Sequence, residues 1–228
     1  MKSQAIIFIL KNNETFLTEN INQILELQKE FDLYFVSRLS QDRTNKILKF
    51  NNLLNIELTY DPGYYEALKT GFEFISPLKY SLVIEFGEIE KIDLNEIKRL
   101  NDVNKEYNFQ NSIVFASRYK NIKSKKKKKL FIYLLLKIKI VDPYSRFKIY
   151  NKSSLSYIKE AFQYNMYPQN LIYLLYKRPN FIEVKTKYEY KKQKPIDFKK
   201  QFIRKCRFNL YVFFILPFIM KKQWKSSF

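Results

Sequence analysis

The chain has 228 residues, enough for one domain with a central sheet and two helical layers. Its 42 Lys and Arg against 22 Asp and Glu give a formal net charge of +20, more than solubility requires, so an anionic partner is expected: phosphate groups, nucleic acid or an acidic membrane surface. The absence of histidine and the single cysteine, Cys206, exclude the usual zinc sites, every His-based acid, base or triad, and an internal disulfide, leaving chemistry to carboxylates, Lys, Arg or a hard metal ion.

Residues 1–4 lead directly into a short apolar run that stops at Lys11 with no small-residue cleavage site, so no secretory signal is read and a start in the cytoplasm is expected. Residues 5–10 are nearly continuous in apolar side chains, the pattern of a strand buried on both faces of a parallel sheet. The helical spacing of Ile21, Ile24, Leu25 and Gln28 predicts a helix over 18–31, and 32–36 (DLYFV) returns to a strand. The order repeats: helix over 45–54, strand over 55–59, helix over 64–74, strand over 80–85, helix over 94–106 and strand over 112–116. Strands and helices alternating with short connections argue for right-handed crossovers and an α/β sheet with helices on both faces.

Ligands of such sheets bind outside the carboxyl ends of the strands, and the distinctive fragments fall there. Asn12, Asn13 and Glu14 follow the first strand. The fragment 36–44 (VSRLSQDRT) follows the second, where Ser40 or Asp42 can equally cap the next helix. Next comes 61–74 (DPGYYEALKTGFEF), with two of the chain's three glycines: Gly63 suits a tight turn before a helix, and Gly71 suits close approach of that helix to the sheet. Then follow 83–90 (VIEFGEIE), 116–121 (ASRYKN) and 141–150 (VDPYSRFKIY), in which Asp142 can open a turn with Pro143 at its second position. Residues 181–190 (FIEVKTKYEY) alternate as a strand.

Together with 6–14 (IIFILKNNE), these fragments resemble the inverting A-type family 2 glycosyltransferases, which include dolichol-phosphate-mannose synthase and the bacterial polyprenyl-phosphate glycosyltransferases. There the same places read roughly VVIPAYNE, VDDGSTDGT, NxGYGxALRTGLE, LDADGQ, GSRY and DxxSGFRLY, and the match runs from about residue 6 to residue 190. The resemblance implies a three-layer α/β/α sandwich with the Rossmann-like A-type glycosyltransferase fold. It implies nucleotide and diphosphate contacts at Asn12, Asn13, Glu14, Ser37, Asp42, Gly63, Arg118 and Lys148, and an acceptor-activating carboxylate at Asp142. Departures fall where chemistry would: Ser37 and Arg38 replace the acidic pair that reads base and ribose, Arg146 replaces a glycine, and Lys148 replaces an arginine, losing the bidentate fork.

A nucleotide sugar leaves a diphosphate, and Mg2+ or Mn2+ held by carboxylates normally neutralises the charge that builds. The family's Asp-x-Asp does this. Here two registers stay open: anchoring on the strand gives Glu85-Phe86-Gly87, and counting back from Asp93 and Leu94 gives Glu88-Ile89-Glu90, with Gly87 a possible bulge between them. Glu85, Glu88 and Glu90 are the candidate ligands, and a solvated acidic turn is the other reading.

Five consecutive lysines at 125–129 precede LFIYLLLKIKI, and the carboxyl end repeats the arrangement with a basic 199–207, an apolar 208–220 and a closing Lys221, Lys222, Trp224 and Lys225. Basic runs beside apolar ones read as segments lying on anionic lipid, since roughly 20 apolar residues are needed to span a bilayer; a buried helical hairpin is the alternative. Nucleic acid is the weaker partner because no recognition motif appears. With no internal repeat or Gly/Ser-rich linker, the expectation is a glycosyltransferase-like domain over 1–195 and a basic, apolar, membrane-associating segment over 196–228. The expected activity is transfer from a nucleotide sugar to a polyprenyl-phosphate or other lipid-linked or glycan acceptor, at the cytoplasmic face of the membrane. The alternative is a catalytically inactive relative that partners or regulates an active enzyme there.

Overall fold

Six apolar residues in succession after Gln4 leave no polar face, and they form β1 (Gln4–Leu10), buried on both sides at the middle of a sheet. The computed structural model describes residues 2–87, 89–106, 112–117, 142, 145–162, 180–186 and 188–190. In chain order β1 is followed by α1 (Glu14–Leu27), β2 (Asp32–Arg38), α2 (Thr44–Phe50), β3 (Asn55–Leu58), α3 (Tyr64–Ile75) and a short 3-10 turn (Ser76–Leu78). Then come β4 (Leu82–Gly87), β5 (Ile89–Ile92), α4 (Asn95–Glu106), β6 (Ser112–Ser117), β7 (Phe147–Asn151), α5 (Lys152–Ala161), β8 (Asn180–Lys185) and β9 (Tyr188–Tyr190).

The main sheet runs β3-β2-β1-β4-β7-β6-β8. β7 is antiparallel to β4 and β6, while the other pairs are parallel. On one face, Phe16, Leu17, Ile24 and Leu27 of α1, Leu48 of α2 and Ile97 of α4 pack on Phe8, Phe35, Ile84 and Phe86. On the other, Ala67, Leu68 and Phe72 of α3 and Ile158 of α5 pack on Ile7, Val36, Val83 and Tyr150. This is the expected three-layer α/β/α arrangement. Gly71 is what lets α3 lie so close, because a Cβ there would stand 2.7 Å from Ile7 Cγ2.

Three expectations change. The strand and helix at 147–161 were not anticipated: β7 runs antiparallel to both of its neighbours, and shortly before it the Ser145 amide donates to the Asp142 carbonyl (3.1 Å). Residues 181–190 are not one strand, since β8 joins the main sheet while β9 pairs with β5 in a separate two-stranded ribbon. Gly87 forms no bulge and stays in register opposite Ile9; the irregularity falls between Ile89 and Lys91. Among the described residues, no helix is long and apolar enough to cross a membrane. The lysine run and the 196–228 segment lie outside them.

Candidate functional site

β1, β2 and β4 end side by side, and the loops that follow β1 and β2 are joined by their own side chains. Asn12, with a left-handed φ of 52°, gives its amide to Ser40 Oγ (3.1 Å) and accepts the Gln41 amide at Oδ1 (2.7 Å). The Asn13 amide donates to Thr44 Oγ1 (2.8 Å), and the Glu14 amide donates to Asp42 Oδ2 (2.9 Å). The other Asp42 oxygen takes the Thr44 amide at the start of α2 (3.0 Å). Side chains of one loop therefore satisfy the donors at the start of α1, which an isolated helix would leave open. Glu14 accepts both the Arg43 amide (3.0 Å) and its Nε (2.7 Å), which together hold its carboxyl below the ordinary range. The structure thus brings Asn12, Asn13, Glu14 and Asp42 together, in the capping role as well as beside the strand ends. Ser37 lies beneath them, fully buried, with no hydrogen-bond partner for its hydroxyl among the described residues.

A second knot links three strand ends. Arg38 donates from Nε (2.9 Å) and a terminal nitrogen (2.7 Å) to Asp61 Oδ1, Lys11 Nζ reaches Oδ2 (2.5 Å), and the Gly63 amide adds a bond at 3.1 Å. Partial burial would raise the Asp61 carboxyl, but the bonds from Lys11, Arg38 and Gly63 outweigh it and lower it to about 2. Gly63 holds φ at 93°, a conformation that favours glycine, and so turns the chain into α3. Arg38, which stands where the resembled family keeps an acid, has thus found its carboxylate on the next loop.

Glu85 and Lys148 take different partners from those the motifs implied. They lie directly opposite each other on β4 and β7, both pointing to the α3 face. Lys148 Nζ meets the two Glu85 oxygens at 3.0 and 3.1 Å, Tyr64 Oη donates to Oε1 (2.7 Å), and Tyr150 Oη donates to Oε2 (2.5 Å). Glu85 has no exposure, and the Lys148 side chain is 7% exposed. Burial, and then the adjacent Glu85 charge, push both phenols well above their ordinary range, so they remain protonated donors. Every strong acceptor direction of Glu85 faces a donor within the protein, which removes it as a metal ligand; Lys148 is likewise spent inside the sheet rather than at a phosphate. In that register the second ligand position is Gly87, and a Cβ there would collide with the Tyr64 ring. The strand register of the acid-x-acid motif therefore does not fit a cation.

Asp142 is fully buried, its amide donating to Glu183 Oε1 on β8 (2.7 Å). Ser117, at the end of β6, is 3% exposed, with no hydrogen-bond partner for its hydroxyl among the described residues. Arg146 lies over the Tyr64 ring, its guanidinium carbon 4.3 Å from the centroid, and was not among the residues singled out as a site. Its replacement of a glycine was the available signal. Arg118 and Glu88 lie outside the described residues, as does the side chain of Glu90, whose backbone belongs to β5. Among the described residues no three His, Cys, Asp or Glu side chains gather as a metal site.

No protein-family profile matches the chain, and no curated protein matches it in sequence. Solved structures do match in fold. Glucosyl-3-phosphoglycerate synthase from Mycobacterium tuberculosis, in complex with Mn2+ and UDP-glucose, superposes with a TM-score of 0.61 at 12% identity, covering 92% of this chain and 78% of that one. The same enzyme with UDP gives 0.60 at 12% identity, over 86% and 74%. With Mg2+ and UDP it gives 0.59 at 11%, over 85% and 73%. The likeness establishes the A-type glycosyltransferase fold.

Proposed function

We propose that this protein is a glycosyltransferase that takes a sugar from a nucleoside diphosphate donor seated at the carboxyl ends of β1, β2 and β4. One observation carries the reading: over 92% of its length the chain superposes, with a TM-score of 0.61, on a synthase whose structure holds UDP-glucose and Mn2+. Ligands of open α/β sheets gather at this edge, where the Asn12–Glu14 and Ser40–Thr44 loops and the Lys11–Asp61–Arg38 knot stand. Asp142 is the carboxylate that would orient or deprotonate the acceptor, and Arg118 would meet the diphosphate. With Glu85 committed to Lys148, the ligands left for Mg2+ or Mn2+ are Glu88 and Glu90. The basic and apolar runs support a lipid-linked or glycan acceptor, polyprenyl phosphate among them, met at the cytoplasmic face of an anionic membrane.

A second reading, a non-catalytic relative acting as partner or regulator, is favoured by a specific observation. At two places where the resembled family works with acids, internal ion pairs stand instead, Arg38 with Asp61 and Lys148 with Glu85. Calorimetric titration with UDP, GDP and their sugar conjugates, with and without Mn2+, separates the two. The enzyme reading expects binding that Glu88→Ala weakens, with Asp142→Asn sparing donor binding and stopping transfer. Absence of binding by every nucleotide at millimolar concentration contradicts it and leaves the non-catalytic partner.

A further inference from the structure

We propose that the edge strand β3 is the interface of a two-fold dimer, pairing antiparallel with β3 of a second copy of this chain. Among the described residues, the large apolar side chains left exposed are Leu39, Phe50, Leu54, Tyr60 and Phe74, from 45% to 87% exposed. All of them stand on one rim of the main sheet. β3 (Asn55–Leu58) is the outermost strand there, with β2 on its inner side. Leu54 leads into it, Tyr60 follows it, Phe50 ends α2, and Leu39 gives its amide to the Leu58 carbonyl (3.2 Å). The Phe74 ring of α3 lies 5.8 Å from that of Tyr34, and one step back in the register of β2 with β3 sets Leu54 beside Tyr34. An apolar rim of this kind, on a chain otherwise rich in charge, marks a contact surface.

The backbone of this edge is open as well. The carbonyls of Leu54 and Leu58 accept from the amides of Phe35 and Leu39 (3.0 and 3.2 Å), so alternation turns the amides and carbonyls of Asn55 and Glu57 outward, where nothing meets them among the described residues. A second β3 running the other way, about a two-fold axis at Ile56, satisfies them. Asn55 then faces the partner's Glu57 and the two exchange both backbone hydrogen bonds, while Ile56 faces the partner's Ile56 and Leu54 faces the partner's Leu58. No like charges oppose each other in this register: Glu57, whose carboxylate lies 3.6 Å from Lys49 Nζ, meets an amide side chain. The same rotation brings the carboxyl end of one edge, with Leu39 and Tyr60, onto the amino end of the other, with Phe50 and Leu54, so apolar groups meet apolar groups. The exposed carboxylate residues Glu57 and Glu73 occupy the same rim, which argues against an anionic lipid surface as its occupant. The carboxyl ends of the two sheets point opposite ways, so both donor edges stay open.

Sedimentation velocity of the full chain at increasing concentration, in about 0.15 M salt to screen the repulsion between two basic copies, tests the proposal. A dimer is expected, and Phe50→Ser with Tyr60→Ser should weaken it by at least about tenfold, the scale of losing an aromatic anchor at an interface. Both side chains are more than half exposed in the single chain, so an unchanged unfolding midpoint guards against loss through misfolding. Cross-linking in a Cys206→Ser background then reads the register. Ile56→Cys should give a disulfide-linked dimer on mild oxidation, because facing Cα atoms of such a pair stand about 4.5–5.5 Å apart. Leu54→Cys alone and Leu58→Cys alone should not, each lying roughly 13 Å from its own copy, whereas the two together should. A monomer at every concentration, a dimer unchanged by the aromatic replacements, or cross-linking through Leu54→Cys alone as readily as through Ile56→Cys would overturn the proposal. So would a monomer that binds phosphatidylcholine vesicles through Phe50 and Tyr60, which would make the rim a lipid contact instead.

Discussion

Glu85 and Lys148 show how a charge can be drawn off from chemistry by one neighbour. A carboxylate with no exposure needs a compensating cation and filled acceptor directions, and it has both, from Lys148, Tyr64 and Tyr150. Removing one member leaves the other charged and buried. Glu85→Leu alone and Lys148→Met alone are each expected to lose about 3–5 kcal/mol in urea unfolding, and the double variant to recover a good part of it. Recovery stays incomplete because two phenols lose their acceptor. Singles that each cost under about 1 kcal/mol would mean the pair is open to water. The pairing was partly legible in the sequence: in Phe147–Asn151, Phe147 and Ile149 alternate with Lys148 and Tyr150, so period two alone puts the lysine on one face with the tyrosine. What was not legible is that β7 runs antiparallel beside β4, which sets Lys148 opposite Glu85 across 63 residues of sequence. Arg38 is the same lesson, since its Asp61 partner belongs to a different loop.

At the level of elements, the apolar periodicity placed β1 to β4, β6 and α1 to α4 close to where they lie, and missed where their ends depend on distant loops. α1 begins at Glu14, four residues before the predicted start, because Asp42 and Thr44 satisfy amides that its own sequence does not cap. β5 and β7 begin inside the fragments 83–90 and 141–150, which were read for motifs rather than for strands, and 181–190 hides a change of sheet between β8 and β9 that alternation cannot register. The junction of β4, α3 and the β7 turn is held by a small residue. Gly87→Ala would push the Tyr64 ring off Glu85 and disturb Arg146 above it, so it is expected to cost about 1–3 kcal/mol in thermal or urea unfolding, as overpacking of a filled interior does. Tyr64→Ala in the same chain should remove most of that added cost. A Gly87→Ala protein as stable as wild type would show that the ring has room to move.

Over the whole molecule, charge and fold lead to the same edge. The parallel strands β1, β2 and β4 deliver Lys11, Arg38 and Gly87 to one end of the sheet, and the turn into β7 brings Arg146 back to it. The fold class was legible because alternating strands and helices leave few topologies, and the resemblance in short fragments pointed to the one observed. The site was less legible, since a motif gives residue types and spacing while partners come from the tertiary structure. The central claim is that this edge holds a nucleoside diphosphate sugar. Amide hydrogen exchange of the full chain, with and without saturating UDP-glucose and GDP-mannose in turn, tests it most directly. One donor should slow exchange in the segments around Lys11 to Glu14, Arg38 to Asp42 and Gly87, and leave the opposite end of the sheet, around Ser3 and Ser81, unchanged. Exchange unaltered by both donors, or protection confined to segments away from the carboxyl ends of β1, β2 and β4, would contradict the account.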